Sequence, residues 1–261
     1  MNRTLQRTLP PTMLIVLLIV LWQVVTTEFD IPEWLLPSPW AIVQAGWRTA
    51  PLLTPHTAQT LLETAIGLVL ALMTGVLLAV AIDLSSLLRR TLYPLLVASQ
   101  TVPIIAIAPL LIVWFGYGIL PKVVVVALVC FFPIAVNTAD GLRGADPDFV
   151  ALLRAMGASR WAIFTRVRVP SSLPSFFSGL KIAATYSVIG AVIGEWVGAS
   201  KGLGIYMLRS SNAFRTAQLF AAIVVTSLLS IALFLLVSGL EHWLLPWYYT
   251  AQREEQWESL R

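Results

Sequence analysis

From Thr60 to Ile82 the chain runs 23 residues with a single charge, Glu63, and stretches of similar length and character recur along it. An apolar run of about 20 residues matches the hydrocarbon thickness of a bilayer, with a working range of about 17–25. No other feature narrows the choice of fold so far. Composition agrees: 58% of residues are hydrophobic and 11% charged, with a mean hydropathy of +0.83. A soluble domain carries about 25% charge, because it must cover itself with polar surface. The solvent for most of this chain is lipid. Backbone groups in hydrocarbon must be satisfied within their own segment, and the runs lack the alternation of a membrane barrel. The expected fold class is an all-α integral membrane protein.

Six crossings are expected. The first covers about Pro10–Thr27, after Arg3 and Arg7; Val24–Glu28 lacks the small-residue site that signal cleavage needs, so it is read as an uncleaved helix. Residues 28–57, with five prolines and several tryptophans, form an extracytoplasmic connection holding an interfacial helix near Pro39–Thr49. The second crossing is Thr60–Ile82. The third, Leu92–Trp114, carries Pro94, Pro103 and Pro109 and is expected to be kinked or broken. After a turn at Gly116-Tyr117-Gly118 come Leu120–Thr138, Leu173–Val197 and Gln218–Leu240, with a glycine-containing loop at 198–217 before the last.

Orientation follows Lys and Arg, which favour the cytoplasmic side. With the N-terminus inside, the inner segments hold Arg3, Arg7, Arg89, Arg90, Arg143, Arg154, Arg160, Arg166, Arg168, Arg253 and Arg261. The outer segments hold Arg48, Lys122, Lys201, Arg209 and Arg215, and Lys181 sits at a boundary. Both ends inside is the consistent solution, in a cell inner membrane. These cations sit in short gaps between apolar runs rather than in a basic stripe, so no nucleic-acid partner is implied. One cysteine, Cys130, excludes an intrachain disulfide and reads as a buried thiol.

The polar segment 146–170 carries the functional signal. Asp146-Pro147-Asp148 is a helix start, with an N-cap acid, a proline in the first turn and a second acid at the positive end of the dipole. Phe149, Leu152, Leu153 and Met156 then recur at helical spacing. Gly157 falls where a helix ends, and Ser159 can cap a second short helix with Trp161, Phe164 and Val167 on its apolar face. Pro170 is expected to stop that helix before the fifth crossing. The result is a helix–glycine elbow–helix ridge surrounded by Arg154, Arg160, Arg166 and Arg168. Two readings stand: a docking surface for a partner, or two helices lying on lipid headgroups.

Gly157, nine residues, then Val167-Arg168-Val169-Pro170 resembles the EAA loop of bacterial ABC-importer permeases, E-A-A, three residues, G, nine residues, I-x-L-P. The name-giving triplet departs, reading Ala151-Leu152-Leu153, which removes the acid at position 151. The likeness extends from about Thr60 to Leu245. Gln100-Thr101-Val102-Pro103, Ala108-Pro109-Leu110, Trp114-Phe115-Gly116, Phe132-Pro133-Ile134 and Lys201-Gly202-Leu203-Gly204 resemble the nitrate, sulfonate and taurine branch. Ile193-Gly194-Glu195-Trp196-Val197-Gly198 resembles members importing the pyrimidine precursor of thiamine, or riboflavin.

The resemblance implies a type I ABC-importer permease: an N-terminal segment 1–58, a permease core 59–245 and a cytoplasmic tail 246–261. It implies a second permease subunit (as a homodimer), two cytoplasmic ATPase subunits and an extracytoplasmic solute-binding protein. The loop residues Ala151, Leu152, Leu153, Arg154, Met156, Gly157, Ser159, Arg160, Trp161, Phe164, Val167 and Pro170 would dock on the ATPase. ATP and Mg would bind in that partner, since this chain has no phosphate-binding Gly-x-x-x-x-Gly-Lys loop and no catalytic constellation.

Four residues are candidates for the translocation path or gate: Pro103, Tyr186, Ser187 and Glu195. Glu195 reads either as a gate residue or as an acid reaching water at headgroup level. Thr185, Tyr186 and Ser187 read as pore lining or as helix-to-helix glue. Asn137 and Asp140 are read as structural, and the Gly190/Gly194 pair as a weak dimer-face motif. The alternative class is a secondary transporter driven by an ion gradient, whose usual signature is paired inverted repeats with buried acids. No internal repeat is visible here.

Overall fold

The computed structural model describes residues 3–250; positions 251–261, with Arg253 and Arg261 and most of the expected tail, lie outside the described residues. Every described element is helical, and the chain divides into two units.

One unit comprises the residues up to Gln59 together with Ser200–Ser227. It holds α1 (Arg3–Glu28), α2 (Pro39–Arg48), α10 (Leu203–Asn212) and the first parts of α3 (Ala50–Leu84) and α11 (Thr216–Leu244). Helix α2 starts as its sequence dictates: Ser38 Oγ accepts from the Ala41 amide at 3.2 Å and Pro39 occupies the first turn. The Trp40 amide donates to Gln23 Oε1 at 3.0 Å, tying α2 to α1, and the Trp22 and Phe220 rings lie 5.9 Å apart. Helix α3 begins at Ala50 rather than near Thr60, so the expected connection is shorter. Pro51 falls in its first turn, where a missing amide costs nothing. Helix α10 occupies what was read as the loop 198–217.

The other unit, Thr60–Ala199 with Leu228 onward, is built on α6 (Leu120–Arg143). Around it lie the rest of α3 and α11, α4 (Ser86–Ser99), α5 (Ile104–Phe115), α7 (Pro147–Ala155), α8 (Arg160–Ile163) and α9 (Val169–Trp196). Val126, Cys130 and Ile134 of α6 share one core with Ala71 of α3 and Ala183 and Ala191 of α9. Cys130 is fully buried, and its Sγ donates to the Ala183 carbonyl at 3.2 Å.

Small residues set these approaches, as expected where lipid gives helices no hydrophobic reason to associate. A Cβ at Gly75 of α3 would come 2.9 Å from Ile134 of α6. Gly190 and Gly194 of α9 lie against Val126 and Lys122 of α6, with the built Cβ atoms 3.3 and 3.1 Å from those Cα atoms. That glycine pair therefore serves packing within the chain, not the dimer face its spacing had raised. Asn137 Nδ2 donates to the Pro133 carbonyl of its own helix at 2.8 Å, a structural role as expected.

Among the described residues, four helices are long and apolar enough to cross a bilayer: α3, α6, the continuous rod Arg160–Trp196, and α11. Helices α4 and α5 make a fifth if counted as one broken span, bent by 100°. The break falls at Gln100–Pro103, because the residue before a proline is pushed out of the helical region. Pro94 and Pro109, read as equal candidates, sit inside helices. The apolar part of α1, Thr12–Glu28, is shorter than the other four.

Candidate functional site

The elbow after α6 is assembled from its caps. Asp146 Oδ1 accepts from the Asp148 and Phe149 amides at 2.9 and 3.4 Å, opening α7. At the far end Ala158 N–H donates to Leu153 O and Gly157 N–H to Arg154 O, both at 3.0 Å. With Gly157 at φ +83° this is a complete Schellman cap. Ser159 Oγ then accepts from the Ala162 amide at 3.2 Å and starts α8. The capped hairpin closes on a small core of its own, Ala145, Val150, Ile163 and Val167, with Leu153 and Ala158 against it.

This core divides the expected ridge in two. Leu153, Phe164 and Val167 turn inward, Phe164 and Val167 being only 9% exposed, so they do not belong to the outer face on which they had been placed. Phe149 (49% exposed), Leu152 (56%), Met156 (74%) and Trp161 (67%) remain outside, with Ala151, Arg154, Ser159, Arg160 and Arg166 also exposed. The Trp161 ring stacks on Phe164 at 5.6 Å, which braces the outer face from within.

Pro170 does not stop the second helix. Between α8 and α9 the chain makes a π turn, Phe164–Arg168, in which the Val169 amide reaches back to the Phe164 carbonyl. The wider turn makes room for a residue that has no amide and whose ring clashes with the preceding carbonyls. Helix therefore runs unbroken from Arg160 to Trp196. Just inside this join, Arg168 Nη1 meets both carboxylate oxygens of Asp83, at 3.1 and 3.0 Å, fastening the elbow to the end of α3.

The four residues assigned to a path or gate have different surroundings. Pro103 is exposed at the break before α5. Tyr186 is half-exposed, whereas its neighbour Ser187 is fully buried and donates to the Ala184 carbonyl at 2.7 Å. Glu195 is fully buried, which overturns its reading as an acid in contact with water. Its Oε1 accepts from Thr60 Oγ1 of α3 at 2.6 Å.

Other buried polar side chains lie within the apolar helices. Glu63, the single charge of the 60–82 run, is 2% exposed, and Thr64 beside it 1%. Thr60, Glu63 and Thr64 form a polar stripe at three- and four-residue spacing on an otherwise apolar helix, which was the available signal. Lys122 is buried with its ammonium on the Gly118 carbonyl. Lys181, left at a boundary, lies within α9 and pairs with the buried Glu241 of α11 at 2.7 Å.

Residues 67–248 match the family of binding-protein-dependent transport system inner membrane components. The chain is 43% identical over 251 residues to the formylaminopyrimidine transport permease protein ThiX of Halalkalibacterium halodurans, covering 95% of this chain and 98% of that one. It is 34% identical to the riboflavin transport system permease protein RibX of Chloroflexus aurantiacus (92% and 89% covered) and 30% identical to the taurine transport system permease protein TauC of Escherichia coli (95% and 92%). Among solved structures, the MetNI methionine ABC transporter in an inward-facing conformation matches with a TM-score of 0.58 at 23% identity, covering 79% of this chain and 97% of that one. An amino acid ABC transporter matches at 0.60 and 16%, covering 76% and 94%. The four apolar rods, the broken helix pair and the capped elbow thus belong to a multi-pass membrane protein, and the chain is a member of the binding-protein-dependent transport system inner-membrane component family, an ABC-importer permease.

Proposed function

We propose that the chain crosses the membrane six times, α1 and the broken α4–α5 pair included, with both ends in the cytoplasm, and forms the solute pathway with a second permease subunit. The elbow 146–168 then stands in a groove of a cytoplasmic ATPase subunit, which binds ATP and Mg and does the hydrolysis. A solute-binding protein delivers the cargo outside. The relative of highest identity quoted above carries formylaminopyrimidine in its name, so a small nitrogen heteroaromatic is the proposed solute class.

The observation that carries the coupling role is the outer face of the elbow. Phe149, Leu152, Met156 and Trp161 are large apolar groups held exposed on a scaffold whose caps and core are complete without them. Exposed apolar groups gathered on a rigid element mark a partner surface. Co-purification tests this: Leu152→Asp with Met156→Asp should release the ATPase subunit from a membrane-inserted permease. Full retention of the ATPase by that double variant would refute the docking role.

A further inference from the structure

A cavity of about 220 Å³ lies between the end of α3 and the elbow, lined by Asp83, Leu84, Arg154, Arg160, Ile163, Phe164 and Arg168. Its lining carries three guanidinium groups and one carboxylate, and that carboxylate is already engaged by Arg168. Arg154 and Arg160 are exposed and leave two positive charges at the mouth. The remaining lining, Leu84, Ile163 and Phe164, is apolar. The pocket therefore offers a cationic rim over a greasy floor.

Its position narrows the ligand. Asp83 and Leu84 follow directly on the apolar run 60–82 of α3, so in the topology proposed above the rim lies at the cytoplasmic boundary of the bilayer. A second cavity of about 390 Å³ adjoins the same boundary, lined by Ser86, Arg89, Arg90, Tyr93 and Pro94 at the start of α4. Arg89 and Arg90 lie outside the elbow, so a partner seated on the elbow does not account for them. Guanidinium groups pair with phosphate oxygens through two parallel hydrogen bonds. Basic pockets at helix ends suit phosphodiester headgroups, with the apolar floor taking the first part of an acyl chain.

We propose that this cavity is a binding site for an anionic phospholipid, its phosphodiester held by Arg154 and Arg160 and its glycerol and upper chain against Leu84 and Phe164. This goes beyond the docking role of the elbow, rests on the topology proposed above and does not depend on which solute is carried. The rim beside the elbow makes an ATPase carboxylate the competing occupant, and the two are separable.

The experiment uses the assembled transporter with its ATPase subunits, in nanodiscs of phosphatidylcholine doped with phosphatidylglycerol. Lipid retained after detergent extraction is counted by native mass spectrometry. Retention of phosphatidylglycerol over phosphatidylcholine is expected, and Arg154→Gln with Arg160→Gln should reduce it on the order of tenfold. The control Lys201→Gln should leave it unchanged, and Arg154→Lys with Arg160→Lys should keep most of it. Competition by soluble glycerol phosphate at millimolar concentration would identify a phosphate site without a lipid, and would overturn the proposal. Equal retention of both lipids overturns it as well. So does preferential retention by the permease alone that disappears once the ATPase is assembled, because a protein carboxylate then fills the pocket. Loss of ATPase association in the Leu152/Met156 variant bears only on docking.

Discussion

Thr60 Oγ1 donates to Glu195 Oε1 across 2.6 Å, and neither residue has any solvent exposure. The bond joins α3 to the last turn of α9, with both side chains enclosed by protein. Taking one hydrogen-bond donor away from a buried carboxyl group costs about 1–3 kcal/mol. Thr60→Val should therefore lower the melting temperature in detergent by several degrees, while Thr60→Ser, which keeps the hydroxyl, should stay close to wild type. Indistinguishable melting of the valine and serine variants would show that the bond contributes nothing.

Gly157 is required for its backbone and not for space. At φ +83° a built Cβ meets nothing within 4 Å, so a side chain fits but the conformation is strained. A non-glycine residue held there costs on the order of 1 kcal/mol, less for Asn than for a β-branched residue. In reconstituted transporter, Gly157→Val should insert normally but lose most substrate-stimulated ATP hydrolysis, with Gly157→Asn intermediate. Equal coupling in all three proteins would mean that the elbow tolerates another path.

Two helical glycines should respond in opposite directions to alanine. At Gly179 of α9 a Cβ would run into the Pro133 carbonyl and come 2.8 Å from Asn137 Cβ, so α6 and α9 must separate. Overpacking of that kind costs about 1–3 kcal/mol. At Gly239 of α11 nothing lies within 4 Å, and alanine should stabilise by roughly 0.5–1 kcal/mol through backbone entropy. Thermal melts of Gly179→Ala and Gly239→Ala read both signs.

The Arg168–Asp83 pair is unequal, with side chains 29% and 4% exposed. Removing Asp83 leaves a cation that can still reach water, whereas removing Arg168 strands a buried anion. Arg168→Gln should therefore destabilise more than Asp83→Asn, by about 1–3 kcal/mol after allowance for solvent at the arginine. Urea or thermal unfolding of the two single variants and the double variant gives the order, and a reversed order would contradict the assignment.

The four long apolar helices were legible because lipid demands length and apolarity, and both are written along the chain. The elbow was equally plain: Asp146, Pro147, Gly157 and Ser159 each act through their own backbone, so their roles survive without knowledge of the tertiary fold. Facing was not legible. In hydrocarbon the side of a helix that meets lipid is as apolar as the side that meets protein, so nothing in the order Tyr186-Ser187 says that the first looks out and the second in. The same blindness put Phe164 and Val167 on the outer ridge, since the elbow's private core depends on how α7 and α8 close. Glu195 admitted a wet reading because distance along a span is not distance from water. Pro170 misled for another reason: its local rule is sound, but one π turn absorbs the clash.

That π turn keeps the second helix of the elbow continuous with the crossing behind it. The 37 residues from Arg160 to Trp196 form one rod, about 55 Å from end to end at 1.5 Å per residue. For a rod moving as one body, tilting its foot swings its head, where Glu195 sits, in the opposite sense about the point the bundle grips most firmly. The approach of Gly179 to the Pro133 carbonyl of α6 lies near the middle of the rod and is the contact suited to be that fulcrum.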